Sequence, residues 1–424
     1  MMRLYTSSAE EVIKAIHFCV SDFCLIALFL YVAFLYRNIL FSKEQMILAF
    51  KLGLAGLSIY ISWYVSPLPI HAYHALIGFF WCSVLCSFFA LQLCCLQLGT
   101  RKMLQGFCAF FAACSTFQGG VACLQYFSRG FFGFRLLGEP KGTISSFSNW
   151  VFRIYEGCTS WALSLGSFTP SQGMFRSYGT FDHPNVLSGF LVCGVIFSLA
   201  IYDRSKNKRL VLAAIFVQIF ALFATFSRAG LLTMGCMGVL WFSLQKRDYR
   251  QIATLVGIGA FCYIGFLPEL LYRGGVVNRS KVACFSNWER IQAQNASIRM
   301  ILRRPLFGVG LENFSAMSRF EEDNSIRVHN CYLLLLAELG IIGVAVFCWF
   351  WLPLLCRGFF LTEDPLYCGV FCAVIALFTL GLFDFYPIVS HKIRLMFFLL
   401  PAFFSIPSRS KSMVQPDLIE ENVT

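Results

Sequence analysis

Long apolar stretches separated by short polar connections are the most regular feature of this chain. Each stretch is long enough to cross a hydrocarbon core of about 30 Å as an α-helix, and the strict alternation of a barrel strand is missing. The pattern predicts an all-α polytopic membrane protein with about eleven transmembrane helices. The predicted spans are residues 18–36, 46–64, 75–98, 104–126, 184–202, 210–226, 229–245, 251–270, 330–356, 366–386 and 393–406.

Composition supports this interpretation and changes the meaning of the charge. Hydrophobic residues make up 58% of the chain and charged residues 13%, whereas soluble domains carry about 25% charged residues. In a soluble protein the net charge of +12 would suggest nucleic acid. Here the basic residues lie mostly between apolar stretches, so they indicate orientation in a membrane, and no nucleic-acid partner is expected.

The basic connections give that orientation. Lys and Arg follow the odd-numbered spans, while residues 65–74 hold neither. Positive charge stays in the cytoplasm, so the N-terminus is predicted outside and the C-terminus inside. We therefore predict one transmembrane domain, residues 1–406, with large periplasmic loops at 127–183 and 271–329. Residues 407–424 are predicted to form a short cytoplasmic tail.

The second of these loops is rich in arginine. Residues 271–329 contain nine basic residues, eight of them Arg, and five acidic ones. A planar guanidinium matches phosphate oxygens with two parallel hydrogen bonds and is less strongly hydrated than an ammonium. The loop therefore suits an anionic lipid head group, either that of a substrate or that of ordinary anionic phospholipid.

His329 opens the ninth predicted span, in a motif of His329-Asn330, nine residues, Gly340, two residues and Gly343. A helix N-terminus disfavours imidazolium and favours a bound anion, which suits a general base. His329 and Gly340 are three helical turns apart on one expected face, and the glycines are expected to admit a close neighbouring helix. Glu338 falls on the opposite face. In the alternative interpretation, His329 only caps the helix or lies among head groups.

Two more groups of polar residues face the same side. Arg228 lies in the turn between the sixth and seventh spans, where a buried Arg costs about 2.5–3.5 kcal/mol and is usually functional or paired. Its alternative is an interfacial anchor whose side chain reaches water. Pro184 occupies the first helical position of the fifth span. Asp182 and Asn185 beside it either cap the helix or contact a substrate.

Residues 289–304 have helical spacing and end at Pro305. Arg290 and Arg304 are fourteen residues apart and so fall near one face. The Gly308-Val309-Gly310 turn is a weak phosphate-loop signal, and because it follows a helix it implies no nucleotide-binding fold.

Taken in order, these motifs resemble the O-antigen ligase family, which also includes O-antigen polymerases. The family's His-Asn motif is matched from His329 to Gly343, and its Ser-Arg turn at 227–228. Its Arg before a Pro-Leu-x-Gly-x-Gly segment is matched by Arg290 and residues 305–310, and its Gly-Thr-Phe-x-x-Pro-Asn segment by residues 179–185. The resemblance covers about residues 176–345. Family members usually have twelve spans with the N-terminus inside, so a chain without the first span has the orientation predicted here.

The resemblance implies a membrane glycosyltransferase of GT-C-like architecture in the bacterial inner membrane, working without a metal or other cofactor. Its donor would be a glycan on undecaprenyl pyrophosphate and its acceptor a lipid A–core sugar hydroxyl. Arg290 and Arg228 would stabilise the pyrophosphate leaving group, and His329 would deprotonate or orient the acceptor. The other expected substrate-binding residues are Arg176, Asn185, Arg304 and Asn330.

Three alternatives stay open. A polymerase would join lipid-linked repeat units, and a protein O-oligosaccharyltransferase would use a protein hydroxyl. A transporter or lipid flippase, from a different class, would place charged residues near the bilayer midplane on broken helices. The candidate residues cluster instead at one outer face, which favours an enzyme.

Overall fold

The computed structural model describes residues 43–67, 86–88, 90–91, 99–134, 139, 151–152, 174–245, 249–267, 270, 281–320 and 328–405. The predicted span 18–36, most of span 75–98 and the tail 407–424 lie outside these residues. So do most of the first predicted loop and residues 271–280 and 321–327 of the second.

The described residues are mostly helical. The long helices are α1 (Lys43–Tyr64), α2 (Thr100–Ser128), α3 (Pro184–Tyr202), α4 (Lys208–Ala224), α5 (Arg228–Gln245), α6 (Tyr249–Gly265), α7 (Lys281–Arg303), α9 (Cys331–Phe360) and α10 (Pro365–Gly381). The shorter ones are α8 (Phe314–Phe320), α11 (Tyr386–Val389) and α12 (His391–Leu399), and α12 continues as a 3-10 helix, Leu400–Phe404. Two short strands, β1 (Val151–Phe152) and β2 (Met174–Phe175), pair antiparallel.

Within the described ranges, helices occupy nine of the predicted spans, close to their predicted limits. By length and composition α2, α3 and α9 can each cross a membrane, while α10 and residues 252–265 of α6 are apolar but shorter. The chain is thus a polytopic helical membrane protein, and the count of eleven spans stays a prediction. The tenth predicted span ends earlier than expected, because its helix stops at Gly381 and Asp384 lies in the loop that follows.

α3 is the central helix of the bundle. It packs against α2, α4, α5 and α10, and its apolar side chains belong to the largest buried cluster. Burial of a polar group in this core requires a partner. Gln218 of α4 meets the requirement by donating to Thr116 Oγ1 and Ala112 O on α2, at 2.9 and 3.1 Å, and by accepting from Ser198 Oγ of α3 at 3.2 Å.

Three predicted cytoplasmic connections converge on one carboxylate. Asp364 caps α10 and forms ion pairs with Arg204, at 3.0 Å, and Arg101, at 3.2 Å. These residues follow the ninth, fifth and third predicted spans. The helices therefore share one end, and the starts of α3, α5 and α9 lie at the other.

The loop that follows α7 is inserted into a break in α9. α9 is interrupted at Gly340, whose φ of 65° is left-handed, and a Cβ there would collide with the Leu306 carbonyl. The loop 305–310, which we call the wedge loop, replaces the missing helical hydrogen bonds. Val309 N and Gly310 N donate to Ala337 O and Glu338 O, at 2.9 and 2.8 Å.

The opposite side of the break is bonded in the same way. Ile341 N donates to Pro305 O and Ile342 N to Leu306 O, at 2.8 and 3.2 Å. The expectation that Gly340 admits a close neighbouring helix was therefore wrong. Gly340 admits a backbone loop because it has no side chain and tolerates a positive φ.

α7 lies along the first half of α9. Ala293 and Met300 of α7 are buried with Leu334 and Ala337 of α9, and Ser297 Oγ donates to Leu333 O at 3.2 Å. The helix that carries Arg290 is thus fixed to the helix that follows His329. α7 ends at Arg303, as the sequence predicted from Pro305.

Candidate functional site

The site is built on residues 176–183, an irregular segment with a turn at 179–180, which contacts α2. Two glutamines of α2, one buried and one partly buried, bind its backbone in place of a neighbouring strand. Gln125 Oε1 accepts from Tyr178 N and Gly179 N, at 3.0 and 2.8 Å. Gln118 Oε1 accepts from Thr180 N at 3.0 Å, and its Nε2 donates to Thr180 Oγ1 at 2.9 Å. These contacts fix the chain that leads into α3.

The start of α3 differs from one alternative drawn from the sequence. Pro184 takes the first helical position as predicted, but the cap is His183, whose Nδ1 accepts from Asn185 N at 3.1 Å. Capping by Asp182 or Asn185 was therefore wrong. The Asn185 side chain instead joins two charged residues: its Oδ1 accepts from Arg176 Nη2 at 2.9 Å, and its Nδ2 donates to Asp384 Oδ2 at 2.8 Å.

His329 lies immediately before the cap of α9. Its Nδ1 is 3.1 Å from Asp384 Oδ1, and its ring contacts Phe385 with centroids 5.1 Å apart. The imidazole is 34% exposed and the Asp384 side chain only 6%. A carboxylate can only accept, so it selects the tautomer with hydrogen on Nδ1. The Nε2 lone pair is then available to a ligand.

Asp384 is the site residue that sequence reasoning missed. Besides His329 and Asn185, it accepts from Phe385 N at 2.9 Å. Burial by itself raises the pKa of Asp384, but the hydrogen bond and charge of His329 and the hydrogen bond of Asn185 bring that pKa below its usual value. The residue is 55 positions from His329 in the chain. The only local signal was an acidic residue at the end of an apolar stretch.

Arg176 is buried, with 1% of its surface exposed. Its Nη2 bonds to Asn185, and its Nε donates to Thr225 O at 2.8 Å. Thr225 begins the turn between α4 and α5, in which Phe226 adopts a left-handed φ of 51°. Ser177 N also holds this turn, donating to Ala224 O at 3.0 Å. The turn delivers Arg228.

Arg228 and Arg290 form the cationic part of the site. Arg228, the first residue of α5, is exposed, and Arg290 on α7 is partly buried. The two guanidiniums are close enough for the charge of Arg290 to act on Arg228. Neither has a carboxylate partner in the described part of the chain, and the buried Arg290 Nε has no hydrogen-bond partner there. Two like charges without a counter-ion suit a bound anion.

The remaining sequence candidates have contacts of their own. Asn330 caps α9: its Oδ1 accepts from Tyr332 N and Leu333 N, and its Nδ2 donates to Leu382 O at 3.1 Å. Arg304 is partly buried, and its Nη1 donates to Val65 O, after the end of α1, at 3.3 Å.

Two weaker signals from the sequence are also resolved by these contacts. The backbone N–H groups of residues 308–310 bind carbonyl oxygens of the protein, so the wedge loop offers none of them to a phosphate. Glu338 Oε1 accepts from Phe314 N at the start of α8, which agrees with its exclusion as a partner of His329.

Residues 213–348 match the family model of O-antigen ligase. The match confirms the resemblance drawn from the motifs, and it includes Arg228, Arg290 and His329. It supports membrane glycosyl transfer of the O-antigen ligase or polymerase type. No curated protein and no solved structure shows a significant match to the chain.

Proposed function

We propose that this chain transfers a glycan from undecaprenyl pyrophosphate to a lipid A–core sugar hydroxyl, because residues 213–348 match the family model of O-antigen ligase. The reaction would take place at the periplasmic face of the bacterial inner membrane. The observation that carries the proposal is the His329–Asp384 pair, whose imidazole is partly exposed. Hydrogen bonds through Asn185 and Arg176 connect this pair to the turn before Arg228.

His329 acts as the general base in this proposal. Asp384 keeps a hydrogen on Nδ1 of His329. Nε2 of His329 accepts the proton of the acceptor hydroxyl while the hydroxyl oxygen forms a bond to the anomeric carbon of the glycan. The bond from that carbon to the pyrophosphate oxygen breaks, and the electron pair leaves with undecaprenyl pyrophosphate. Asp384 also stabilises the imidazolium that forms.

Arg228 and Arg290 bind the pyrophosphate and balance the charge that develops on it. Their mutual repulsion is relieved when the anion binds, and it is relieved further as the leaving group gains charge. The proposal assigns this role to guanidinium groups, so transfer should continue in EDTA. Strict dependence on a divalent metal would contradict it.

The two ends of the bundle support the proposed side of the membrane. The site lies at the end opposite the Asp364 cluster, which gathers connections predicted to be cytoplasmic. In a variant without native cysteines, a cysteine placed at Ser315 should react with an impermeant thiol reagent in cells whose outer membrane is permeabilised. A cysteine at Ser205 should not react, and the reverse pattern would contradict the proposed orientation.

Deletion of the gene tests the proposed reaction directly. A ligase deletion should accumulate lipid-linked glycan and leave the lipopolysaccharide core bare. A core bearing a single repeat would indicate the polymerase, and a normal core with an unmodified protein would indicate protein glycosylation. The deletion strain also supplies both substrates for transfer by the purified protein.

A transporter or flippase remains the alternative from a different class. The break in α9 is a feature that transporters share, but here the wedge loop binds the freed backbone groups on both sides of it. Those groups are therefore not available to a transported ion. Transfer by purified protein in detergent, where no compartment exists, separates the two classes.

A further inference from the structure

We propose that Arg176 and Asn185 are positioning residues and do not touch the substrate. They connect the proposed base, His329, to the turn that carries Arg228, which we propose binds the leaving group. This inference rests on the proposed function above, and it changes the role that the sequence motif suggested for both residues. Its basis is one continuous row of hydrogen bonds: Arg176 to Asn185, Asn185 to Asp384, and Asp384 to His329.

Burial supports a positioning role for Arg176. The side chain is 1% exposed, and two of its nitrogens bind protein oxygens on different elements. A guanidinium can do this because its donors diverge in one plane, whereas the single ammonium of lysine cannot replace both at these positions. Little of the Arg176 surface is available to a pyrophosphate.

The second contact of Arg176 reaches the cationic side. Its Nε binds the Thr225 carbonyl, one residue before Phe226 with its left-handed φ and three before Arg228. A residue other than glycine is strained in that region and stays there only when its surroundings hold it. Buried Phe226 packs with Tyr126 and Phe266. Arg176 therefore helps to hold the turn that presents Arg228.

Asn185 sets the direction of the row. Its amide oxygen faces Arg176 and its nitrogen faces Asp384, so Asp384 must accept and its other oxygen is left for His329. Asp384→Asn alone should reverse this order. The Asn185 amide nitrogen would then donate to the new amide oxygen at 384. The new amide nitrogen at 384 would donate to His329 Nδ1, which favours the tautomer with hydrogen on Nε2. The base would be lost.

An exchange of the two side chains makes the test sharp. In Asn185→Asp combined with Asp384→Asn, Arg176 would donate to the new carboxylate at 185. The new amide at 384 would donate to that carboxylate and accept from His329 Nδ1–H. The turnover of the double variant should therefore be at least tenfold higher than that of either single variant, since the effects of substitutions within one network are not additive. It should also restore the Nδ1–H tautomer.

Two measurements are needed. Turnover and donor KM are measured with lipid-linked glycan and bare core from the deletion strain. The tautomer of His329 is read from its imidazole ¹⁵N shifts at alkaline pH and assigned with His329→Gln, which needs no activity. If the wild type transfers nothing, the proposed function fails, and the tautomer still decides the inference.

Arg176→Lys gives an independent result. Turnover should fall about 10- to 100-fold, the range for a lost hydrogen bond to a charged group, with donor KM little changed. Arg204→Lys is the matched control, since Arg204 is a half-buried arginine in an ion pair at the opposite end of the bundle. It should retain normal turnover.

Two outcomes would overturn the inference. A rise in donor KM with unchanged turnover in Arg176→Lys would make Arg176 a substrate-binding residue. Additive losses in the exchange variant, with the wild-type His329 tautomer in both single variants, would show that no row connects these residues. Binding of undecaprenyl pyrophosphate to each purified variant confirms that it is folded.

Discussion

The two sides of the candidate site are held in opposite ways. On the base side, His329 is connected through Asp384 and Asn185 to buried Arg176, and each step is a hydrogen bond. On the cationic side, Arg228 and Arg290 repel one another, and the described residues include no carboxylate partner for either. One side is complete within the protein, and the other is the side that we propose an anion completes.

This difference fits the demands of the two tasks. A general base works from one tautomer and one orientation, so rigidity favours it. A leaving-group site must bind charge that grows during the reaction, and a protein carboxylate there would compete with the substrate. Each prediction below disturbs one side or the connection between them.

The largest effect is expected when the base is removed. His329→Ala should lower turnover about 10²- to 10⁴-fold, the usual contribution of general-base catalysis. Binding of undecaprenyl pyrophosphate should survive, because Arg228 and Arg290 are intact. Transfer and binding assays with purified His329→Ala check this expectation. If the main role of His329 is to orient the acceptor, His329→Gln should retain part of the activity. Wild-type turnover in His329→Ala would falsify the mechanism.

A smaller effect is expected on the cationic side. Arg290→Lys keeps the charge but loses the planar guanidinium. It should lose about 1.5–3 kcal/mol of transition-state stabilisation, so kcat/KM should fall about 10- to 150-fold. Undecaprenyl pyrophosphate binding should weaken here, in contrast to His329→Ala. Arg209→Lys, from a predicted cytoplasmic connection, is the control. Full activity of Arg290→Lys at normal expression would leave Arg290 with a general electrostatic role.

The wedge loop follows the helix that carries Arg290 and fills the break in α9. Gly340→Ala would force a Cβ against the Leu306 carbonyl at a positive φ, which we expect to cost about 1–3 kcal/mol of stability. Thermal unfolding in detergent should show the loss. The matched control is Gly238→Ala on α5, where an added Cβ meets nothing within 4 Å. Equal stability of the two variants would mean that the α9 break tolerates a side chain.

The smallest effect concerns acid pH. The pKa of Asp384 lies below its usual value because His329 and Asn185 outweigh the effect of burial, so its ionised form stabilises the folded protein. That contribution is complete above the ordinary Asp pKa of about 3.9 and is lost as the pH falls through the lower folded value. Wild type and Asp384→Asn should therefore converge in thermal stability only at strongly acid pH. A stability difference that does not change with pH would contradict this assignment.

Local patterns predicted what depends on neighbours in the chain. The start of α3 at Pro184 and the end of α7 before Pro305 each follow from a residue that restricts its own backbone. The place of His329 at the start of α9 follows from the change from polar to apolar sequence. These features required no knowledge of packing.

Contacts between distant residues could not be predicted in this way. Asp384 meets His329 only because α10 returns beside α9, and periodicity carries no information about that meeting. The break at Gly340 was hidden because apolar sequence continues on both sides of it. The sequence did not predict His183 as the cap of α3, because Asp and Asn are more common caps. The Asn185 side chain instead donates to Asp384, a contact between distant residues.

The broken helix also has a consequence for biosynthesis. A helix that enters lipid normally satisfies its backbone hydrogen bonds within itself, but α9 lacks these internal hydrogen bonds around Gly340. The missing partners lie in the wedge loop, which the ribosome completes before α9 begins. The hydrogen bonds between the wedge loop and α9 can therefore form only after α9 has been synthesised. The geometry of the break thus sets an order of assembly as well as a shape.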